Sequence, residues 1–172
     1  MSTLFLTELV PATFDAEAAQ QVVTDVAAVA ELIEAQITSD HSRVFAIIEA
    51  DDAAQLATAL APLAREVTEP ARVRLVGAEL ADVKAARPEG GYLVEWDIPS
   101  HIDMDTYLTR KAEKTPLYAE VPEVSFLRTY VREDMAKCLC FYDAPDADAV
   151  VRAREVVATP VDRLHALKQW RS

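Results

Sequence analysis

A short segment, "EWDIPSHIDMD" at positions 95–105, carries residue types that bind metal ions. Carboxylates together with imidazole suit nickel, zinc or iron. Asp103 and Asp105 have a simpler interpretation, since an aspartate before a helix caps it and an acid in the first turn interacts favourably with the helix dipole. The remaining candidate ligands of this segment, together with a histidine near the end of the chain, are the predicted metal ligands: Glu95, Asp97, His101 and His165.

The two cysteines of the chain, Cys138 and Cys140, are a second candidate. Side chains two positions apart on a strand point to the same face with parallel Cα–Cβ bonds, which is poor geometry for a disulfide. Two small buried hydrophobic side chains are the simpler interpretation. As thiolates they could bind a soft metal, but a Cys-x-Cys pair without a second cysteine pair is a weak signal.

Several classes of function lack their sequence signatures. Three glycines in the whole chain leave no Gly-rich phosphate loop, and no G-x-S-x-G nucleophile motif is present. The formal net charge of −12 repels phosphate backbones, so we expect no nucleic-acid partner. The sequence therefore names no reaction.

Length and hydropathy indicate an ordinary globular protein. A chain of 172 residues suits one or two small domains. No stretch reaches the roughly 18 apolar residues that a membrane span needs. The first residues lack the basic region of a signal peptide and include Glu8. Reduced cysteines fit the same interpretation, and we expect a cytoplasmic protein without a membrane partner.

The elements that must position these residues occur twice along the chain. Pro11 matches Pro99 after 88 residues. Asp40 matches Asp134 after 94 residues, and these two lie within the similar runs "ITSDHSRVFAIIEADDA" and "VREDMAKCLCFYDAPDA". Two halves of about 80 residues each are marginally stable alone, so we expect them to share one core. The predicted organisation is a diverged repeat at 1–80, a linker at 81–90 and a second repeat at 91–172.

Each half follows the order β-α-β-β-α-β, which is typical of ferredoxin-like folds. The predicted strands are Thr3–Val10, Leu32–Thr38, Arg43–Ala50, Ala71–Gly77, Tyr92–Ile98, Val124–Arg132, Ala136–Asp143 and Arg163–Leu167. Aspartates that precede apolar stripes at helical spacing are predicted to cap the four helices: Asp15, Asp52, Asp103 and Asp146.

A ferredoxin-like sheet has helices on one face and leaves the other face open. Two such sheets in one chain can close their open faces against each other. The predicted architecture is therefore α+β: tandem βαββαβ repeats packed sheet to sheet as a pseudo-symmetric α+β barrel, with any site between the sheets or at its mouth. A monomer suffices for this arrangement, although an exposed sheet edge could still produce a homodimer.

Strand alternation predicts which side chains lie on the open face of the second half. Leu127, Thr129 and Val131 are assigned to the helix side, as are Leu139 and Phe141. The polar and aromatic residues left on the other side form the predicted pocket: Glu95, Arg128, Tyr130, Cys138, Cys140, Tyr142 and His165.

The first half is less polar at the matching positions. Thr7 is aligned with Glu95, and the residues aligned with the pocket members of the later strands are Glu34, Gln36, Val44, Ala46 and Ile48. The second half is thus predicted to be the chemically equipped copy. Simpler alternatives remain open: Glu95 and Arg128 as a compensated ion pair, the tyrosines as packing residues and His165 as a structural histidine.

The run "RTYVREDMAKCLCFYDAPDADAV", followed after a helix by "PVDRL", resembles a small bacterial ferredoxin-like family of unknown function that includes a nickel-binding member. The resemblance covers the second half of the chain and reaches the first half only through the repeat. It implies a ferredoxin-like α+β fold whose copies pair through their sheets, and metal binding through nitrogen and oxygen ligands. The histidine-rich first strand of the nickel-binding member is replaced here by "YLVEWDIP".

Three functions are compatible with these patterns. The favoured one is a small non-enzymatic binding protein that holds nickel, another divalent transition metal or a small ligand between its sheets. The alternative is an enzyme of the dimeric α+β barrel type, a monooxygenase or isomerase, in which Arg128 holds an anionic group and Glu95 or His165 is the general base. The third is an interaction module without a ligand, and fold analogy does not choose among the three.

Overall fold

The computed structural model describes residues 3–86 and 91–168. The chain forms two compact units. Among the described residues, the first unit comprises 3–73, 79–86 and 167–168. The second unit comprises Arg74–Ala78 and Gly91–Ala166. Both units contain antiparallel sheet and helices, so the predicted α+β class is confirmed.

The first unit is built on an antiparallel sheet, and two of its helices, at 16–29 and 53–60, pack against one face. Its strands are β1 (Thr3–Val10), β2 (Glu31–Ile37), β3 (Val44–Ala50), β4 (Glu66–Val67) and β5 (Ala71–Val76), the last of which continues into the second unit from Arg74. Its helices are α1 (Ala16–Val29), α2 (Ala53–Leu60) and α3 (Leu80–Ala86). The strand order is β2-β3-β1-β5, and β4 also pairs with β1.

The second unit has the same kind of sheet with two main helices. Its strands are β6 (Tyr92–Asp97), β7 (Ser125–Arg132), β8 (Lys137–Asp143) and β9 (Arg163–Ala166), in the order β7-β8-β6-β9. Its helices are α4 (Met104–Lys114) and α5 (Ala147–Val156), and α4 continues into a 3-10 segment, Thr115–Glu120. The sequence did not predict that segment.

The predicted element order is present in both units, with additions in the first. Helix α3 forms within the segment predicted as a linker, and the short strand β4 was not predicted. The rest of that linker, residues 87–90, lies outside the described residues, as do residues 169–172 at the end of the predicted second repeat. The domain boundaries given above therefore stay a prediction.

All four predicted helix caps are confirmed. Each aspartate accepts a hydrogen bond from the backbone N–H three residues later, at 2.8–3.0 Å. The contact satisfies one of the backbone donors that the first turn of a helix leaves without a partner. The caps are Asp15, Asp52, Asp103 and Asp146.

The two central hairpins have matching turns and matching irregularities. Asp40 and Asp134 each accept from the backbone N–H two residues later at 3.0 Å. The intervening residues, His41 and Met135, adopt left-handed φ angles of 62° and 61°. Bulges interrupt both hairpins, between positions 32 and 34 and between positions 126 and 128. A bulge changes which side chains face the helices from that point onward.

The helix-facing side of the second sheet differs from the prediction. The cluster that packs against α4 and α5 contains Val94, Trp96, Val131, Cys138, Cys140 and Tyr142. Cys138, Cys140 and Tyr142 were predicted on the open face, with Leu139 and Phe141 towards the helices, and this assignment was wrong. Both alternating sets of "KCLCFYD" are apolar enough to be buried, so the sequence pattern does not define the buried face of this strand.

The bulge in β7 explains a further difference. Strict alternation along the strand would place Phe126 on the same face as Arg128 and Tyr130, but its ring contacts Tyr142 on the helix side, with ring centroids 5.8 Å apart. The extra residue at the bulge breaks the alternation between Phe126 and Arg128. Arg128 and Tyr130 do lie on the face away from the helices, where both contact the ring of Phe141.

The strand pairing also corrects one alignment between the halves. Glu8 pairs opposite Phe45, and Glu95 pairs opposite Leu139, which is 94 residues after Phe45. Glu8, and not the predicted Thr7, therefore occupies the position of Glu95. The cause is the connection to the first helix, which spans residues 11–15 in the first unit and the one-residue-longer 98–103 in the second.

Candidate functional site: a basic cleft in the second unit

On the face away from the helices, Glu95 is the centre of a charged cluster. Its side chain is 3% exposed and its carboxylate accepts from Lys137 at 2.6 Å and from Arg163 Nε at 2.9 Å, while His165 Nε2 lies at 2.7 Å. Burial alone raises the pKa of Glu95, but the hydrogen bonds with His165, Lys137 and Arg163 outweigh it and lower the pKa to about 2. The cluster holds Glu95 as a carboxylate throughout the neutral range.

The predicted metal ligands do not assemble into a metal site. Both carboxylate oxygens of Asp97 accept from Arg163, at 2.6 and 3.0 Å, and His101 is exposed in the connection after β6. Within residues 3–86 and 91–168, no group of three or more His, Cys, Asp or Glu side chains is arranged to hold a metal ion. The set Glu95, Asp97, His101 and His165 therefore does not fit a nickel centre in this arrangement, because cationic side chains already occupy its carboxylates.

The predicted pocket is divided between the two faces of the sheet. Glu95, Arg128, Tyr130 and His165 lie on the face away from the helices. The ion pair considered between Glu95 and Arg128 is replaced by the contacts of Glu95 with β8 and β9 described above. The remaining predicted members, Cys138, Cys140 and Tyr142, lie on the helix side, where they contact residues that the sequence did not single out.

On the helix side, Cys140 and Tyr142 share the guanidinium of Arg154 from α5. Arg154 is 3% exposed. It donates to the Tyr142 hydroxyl at 3.0 Å, to Cys140 Sγ at 3.6 Å and to the backbone oxygen of Pro160 at 2.9 Å. No carboxylate among the described residues forms an ion pair with it. A buried guanidinium without a carboxylate is unusual, because a buried charge normally has an opposite partner.

Arg154 lines a cleft between the sheet, α4 and the 3-10 segment that follows α4. Its cavity volume is about 30 Å³, and the space around that cavity is open to solvent. Its cationic side chains are Arg110, Lys111, Lys114 and Arg154, and its lining contains no carboxylate. In a protein of net charge −12, this gathering of cations produces a local positive potential.

Two of these cations have unused hydrogen-bonding capacity. The Nε–H groups of Arg110 and Arg154 are buried and have no partner within the described part of the chain. Arg110 also donates to the backbone oxygen of Ala158 at 2.6 Å and lies 5.7 Å from the ring of Trp96. Buried donors without acceptors cost free energy, which an acceptor on a bound molecule would recover.

Aromatic side chains form the rest of the cleft wall. Trp96, Tyr107 and Tyr118 line it. Tyr118 stacks on Phe126 with the rings 2° from parallel, and its hydroxyl lies 2.6 Å from the Tyr142 hydroxyl. These rings give the cleft flat apolar surfaces beside its cations.

The thiols of the two cysteines lie on the floor of the cleft. Their Sγ atoms are 3.9 Å apart, and the Thr129 hydroxyl donates to Cys140 Sγ at 3.2 Å. The hydrogen bond from Cys138, followed by the charges of Lys111 and Arg154, lowers the pKa of the Cys140 thiol against the opposing effect of burial. The same contact and burial raise the pKa of Cys138. Burial also raises the pKa of the neighbouring Tyr107.

The sequence contained one signal for this cleft. Val150, Ala153 and Val157 recur at helical spacing and are buried. Arg154 is four residues after Val150, so it belongs to the same stripe at helical spacing. A charged residue within a buried stripe indicates a functional site or a compensated charge. Arg110, Lys111 and Lys114 gave no such signal, because cations on an amphipathic helix are ordinary surface residues.

Residues 92–167 match the family described as nickel responsive protein SCO4226-like. The match confirms the family resemblance over the second half of the chain. No curated protein matches the sequence. None of the described helices has the length and apolar content needed to cross a membrane.

Solved structures with a similar fold extend over the whole chain. A protein described as a candidate chlorite dismutase shares 12% identity at a TM-score of 0.54, covering 98% of this chain and 94% of its own. Candidate monooxygenases from Fusobacterium nucleatum and Lactobacillus acidophilus share 10% and 9% identity at TM-scores of 0.53 and 0.52. They cover 99% and 98% of this chain and 93% of their own. At these identities the likeness concerns the fold alone.

Proposed function

We propose that this protein is a small binding protein whose second unit holds a small organic anion in the basic cleft. The observation that carries the proposal is Arg154, a buried guanidinium with an unused Nε–H and no carboxylate partner among the described residues. The sequence predicted a ligand between two sheets, whereas we place it between the second sheet and its own helices.

The charge balance of the cleft favours an anion. Moving a charge out of water costs roughly several kcal/mol of free energy unless an opposite charge compensates it. Three further cations line the same space without a carboxylate among the lining residues. A bound anion would compensate Arg154 and would accept from the free Nε–H groups of Arg110 and Arg154.

Wall chemistry favours an aromatic or otherwise flat carboxylate. The cavity of about 30 Å³ has room for a carboxylate group, and the rest of the molecule would lie in the part of the cleft that is open to solvent. The carboxylate would lie against the guanidinium groups, which present paired N–H donors. Its apolar body would contact Trp96, Tyr107 and Tyr118.

Titration calorimetry with benzoate tests the proposal. We expect benzoate to bind, acetate to bind more weakly because it lacks a ring, and benzyl alcohol not to bind because it lacks the charge. Arg154→Met should weaken benzoate binding by at least about tenfold, the loss expected for one charged hydrogen bond. The matched control is Arg152→Met on the same helix, since Arg152 is 54% exposed and pairs with Glu123 at the surface.

Two results would contradict the proposal. Equal affinity of Arg154→Met and the unchanged protein would remove Arg154 from the site. Absence of any heat with benzoate, phenyl phosphate and inorganic phosphate would show that the cations of the cleft do not recruit an anion. Circular dichroism of each variant separates loss of binding from loss of folding.

A second candidate, a transition-metal-responsive protein, is favoured by the description of the matching family. Nickel or another divalent ion would use Glu95, Asp97, His101 and His165, which requires Lys137 and Arg163 to leave the carboxylates. Metal analysis after purification without chelator tests this. Stoichiometric nickel that is lost in Glu95→Gln and His165→Ala would support it, and no thermal shift with nickel would count against it.

The enzymatic alternative is favoured by the names of the structurally similar proteins. In it, Arg128 would hold an anionic group and Glu95 or His165 would be the general base. The charged cluster argues against Glu95, because a carboxyl with a pKa of about 2 is a weak base at neutral pH. Oxygen consumption in the presence of candidate aromatic substrates would test the monooxygenase form of this alternative.

We also propose that the units are tandem copies of one βαββαβ element that form a pseudo-symmetric α+β barrel. Matching caps, hairpin turns and bulges support the duplication. Solution scattering tests the shape, since a closed barrel has a smaller radius of gyration than two separated units. A profile that requires separated units would contradict the barrel.

A further inference from the structure

We propose that Cys140 is a reactive thiolate, and that a hydroperoxide entering the basic cleft oxidises it to a sulfenic acid. The inference does not depend on the organic anion proposed above. It rests on the position of two thiols in the lining of the cleft beside the buried guanidinium of Arg154, which donates to Cys140 Sγ at 3.6 Å and to the Tyr142 hydroxyl at 3.0 Å.

Every polar group around Cys140 favours its ionised form. The Thr129 hydroxyl donates to its sulfur at 3.2 Å, Arg154 donates at 3.6 Å, and Cys138 Sγ lies at 3.9 Å. Lys111 of α4 lines the same cleft. A thiolate stabilised by neighbouring cations and hydrogen-bond donors is the nucleophilic form of cysteine.

The other titratable groups that face Cys140 do not supply a competing negative charge. They are Tyr107 of α4, Tyr118 of the 3-10 segment, and Cys138 and Tyr142 of the same strand. Burial raises the pKa of each tyrosine, and the contact with Cys140 together with burial raises that of Cys138. All four are therefore neutral when Cys140 ionises, and they can act as donors to its sulfur or to each other.

The reaction with a hydroperoxide is a two-electron oxidation. The Cys140 thiolate attacks one oxygen of hydrogen peroxide, an S–O bond forms as the O–O bond breaks, and hydroxide leaves and takes a proton from solvent. Sulfur is oxidised to the sulfenic acid and the peroxide oxygen is reduced to water. The nearby cations stabilise the departing hydroxide.

The strand geometry prevents Cys138 from converting the sulfenic acid into an internal disulfide. Cys138 and Cys140 are two residues apart on β8, which is paired on one side with β6 and on the other with β7. An extended strand separates their Cα atoms by roughly 6.6 Å, near the upper limit of disulfide geometry, with both side chains parallel. Cys138 cannot reach the sulfenic sulfur without breaking strand pairs.

Dimedone trapping after treatment of the intact protein with hydrogen peroxide tests the proposal. Mass spectrometry should find one adduct, on Cys140, in the unchanged protein and in Cys138→Ser, and none in Cys140→Ser. At neutral pH, Arg154→Met and Lys111→Met should each slow the reaction, the former by at least about tenfold, because the thiolate loses a cation. Arg152→Met is the control that should leave the rate unchanged.

The outcomes separate this inference from the proposed ligand. An adduct on Cys140 without benzoate binding supports the thiolate and contradicts the anion site, and the reverse pattern does the opposite. Adduct formation on Cys138, an internal disulfide in place of the adduct, or labelling only after denaturation would each overturn the inference. An unchanged rate in a folded Arg154→Met variant would also overturn it.

Discussion

Equivalent positions of the two units carry the same ion pair with different surroundings. In the first unit, Glu8 accepts from Arg43 at 2.7 Å. In the second, Glu95 accepts from Lys137, which is 94 residues after Arg43, and also from Arg163 and His165 of β9. The pair itself belongs to the shared scaffold, and Arg163 and His165 of β9 add to it in the second unit.

The helix sides of the two sheets differ more strongly. Val44, Ala46 and Ile48 belong to an apolar core in the first unit. The residues at the corresponding positions of the second hairpin are Cys138, Cys140 and Tyr142, and the last two contact a buried arginine. Equivalent strands can thus line either an apolar core or a polar cleft, depending on the side chains of the helix that packs against them.

Removing the shared glutamates separates the two clusters by the size of the effect. Glu95→Ala removes one carboxylate that Lys137, Arg163 and His165 share and should lower the free energy of unfolding by about 2–3 kcal/mol, discounted because these partners are partly exposed. Glu8→Ala removes the contact with Arg43, whose side chain is 40% exposed, and that contact should contribute about 1 kcal/mol. Urea denaturation measures both, and equal costs would contradict the difference between the clusters.

Acid sharpens the same contrast. The folded pKa of Glu95 is about 2, below its ordinary value of 4.5, so the unfolded chain binds the proton more readily. Its contribution, about 2 kcal/mol, is complete above roughly pH 5 and is lost as the pH falls towards 2. The difference in stability between the unchanged protein and Glu95→Gln should shrink across that window. A constant difference from neutral pH to pH 2 would contradict the assignment.

A transplanted thiol tests the contrast on the helix side. In a chain with Cys138→Ser and Cys140→Ser, Ala46→Cys places one thiol at the position equivalent to Cys140, within an apolar core. The rate of its alkylation by iodoacetamide should rise with pH as expected for a thiol of ordinary or raised pKa, about 8.5 or above. Cys140 in Cys138→Ser should be labelled at lower pH, with a rate at neutral pH at least about tenfold higher, about 1.4 kcal/mol. Coinciding pH profiles would show that the cleft does not activate its cysteine.

The matched helix caps should give the smallest effects and should not distinguish the units. Asp15→Ala and Asp103→Ala each remove a hydrogen bond of 2.8 Å to the first turn, and each should cost about 1 kcal/mol. Thermal unfolding measures the two losses. A large cost for one cap and none for the other would show that the two helix starts are not equivalent.

Several parts of the fold could be predicted because local chemistry fixes them. The four capping aspartates and the hairpin aspartates act within a few residues of themselves, so their roles follow from sequence alone. The α+β class and the element order follow from the alternation of strand and helix patterns. Helix α3 was missed because the segment around Pro88 and Gly90 is typical of a linker.

The candidate site was predicted in part, and the errors have identifiable causes. Strand β8 carries apolar residues on both of its faces, and the bulge before Arg128 breaks the alternation in β7. The predicted pocket therefore combined residues from both faces of the sheet. The resemblance to the nickel-responsive family was correct for residues 92–167, but the donors suggested for a metal are held by Lys137 and Arg163.

The sequence by itself determined where the elements begin, how the turns are made and which residue types are available, since these depend on neighbours along the chain. Tertiary structure decided the partners. It brought Lys137, Arg163 and His165 to Glu95, and it brought Arg154 of a helix to Cys140 of a strand. Such contacts join residues 14–70 positions apart in the sequence. Whether a thiol faces an apolar core or a cation is decided by the packing of side chains from different elements, which no local sequence pattern encodes.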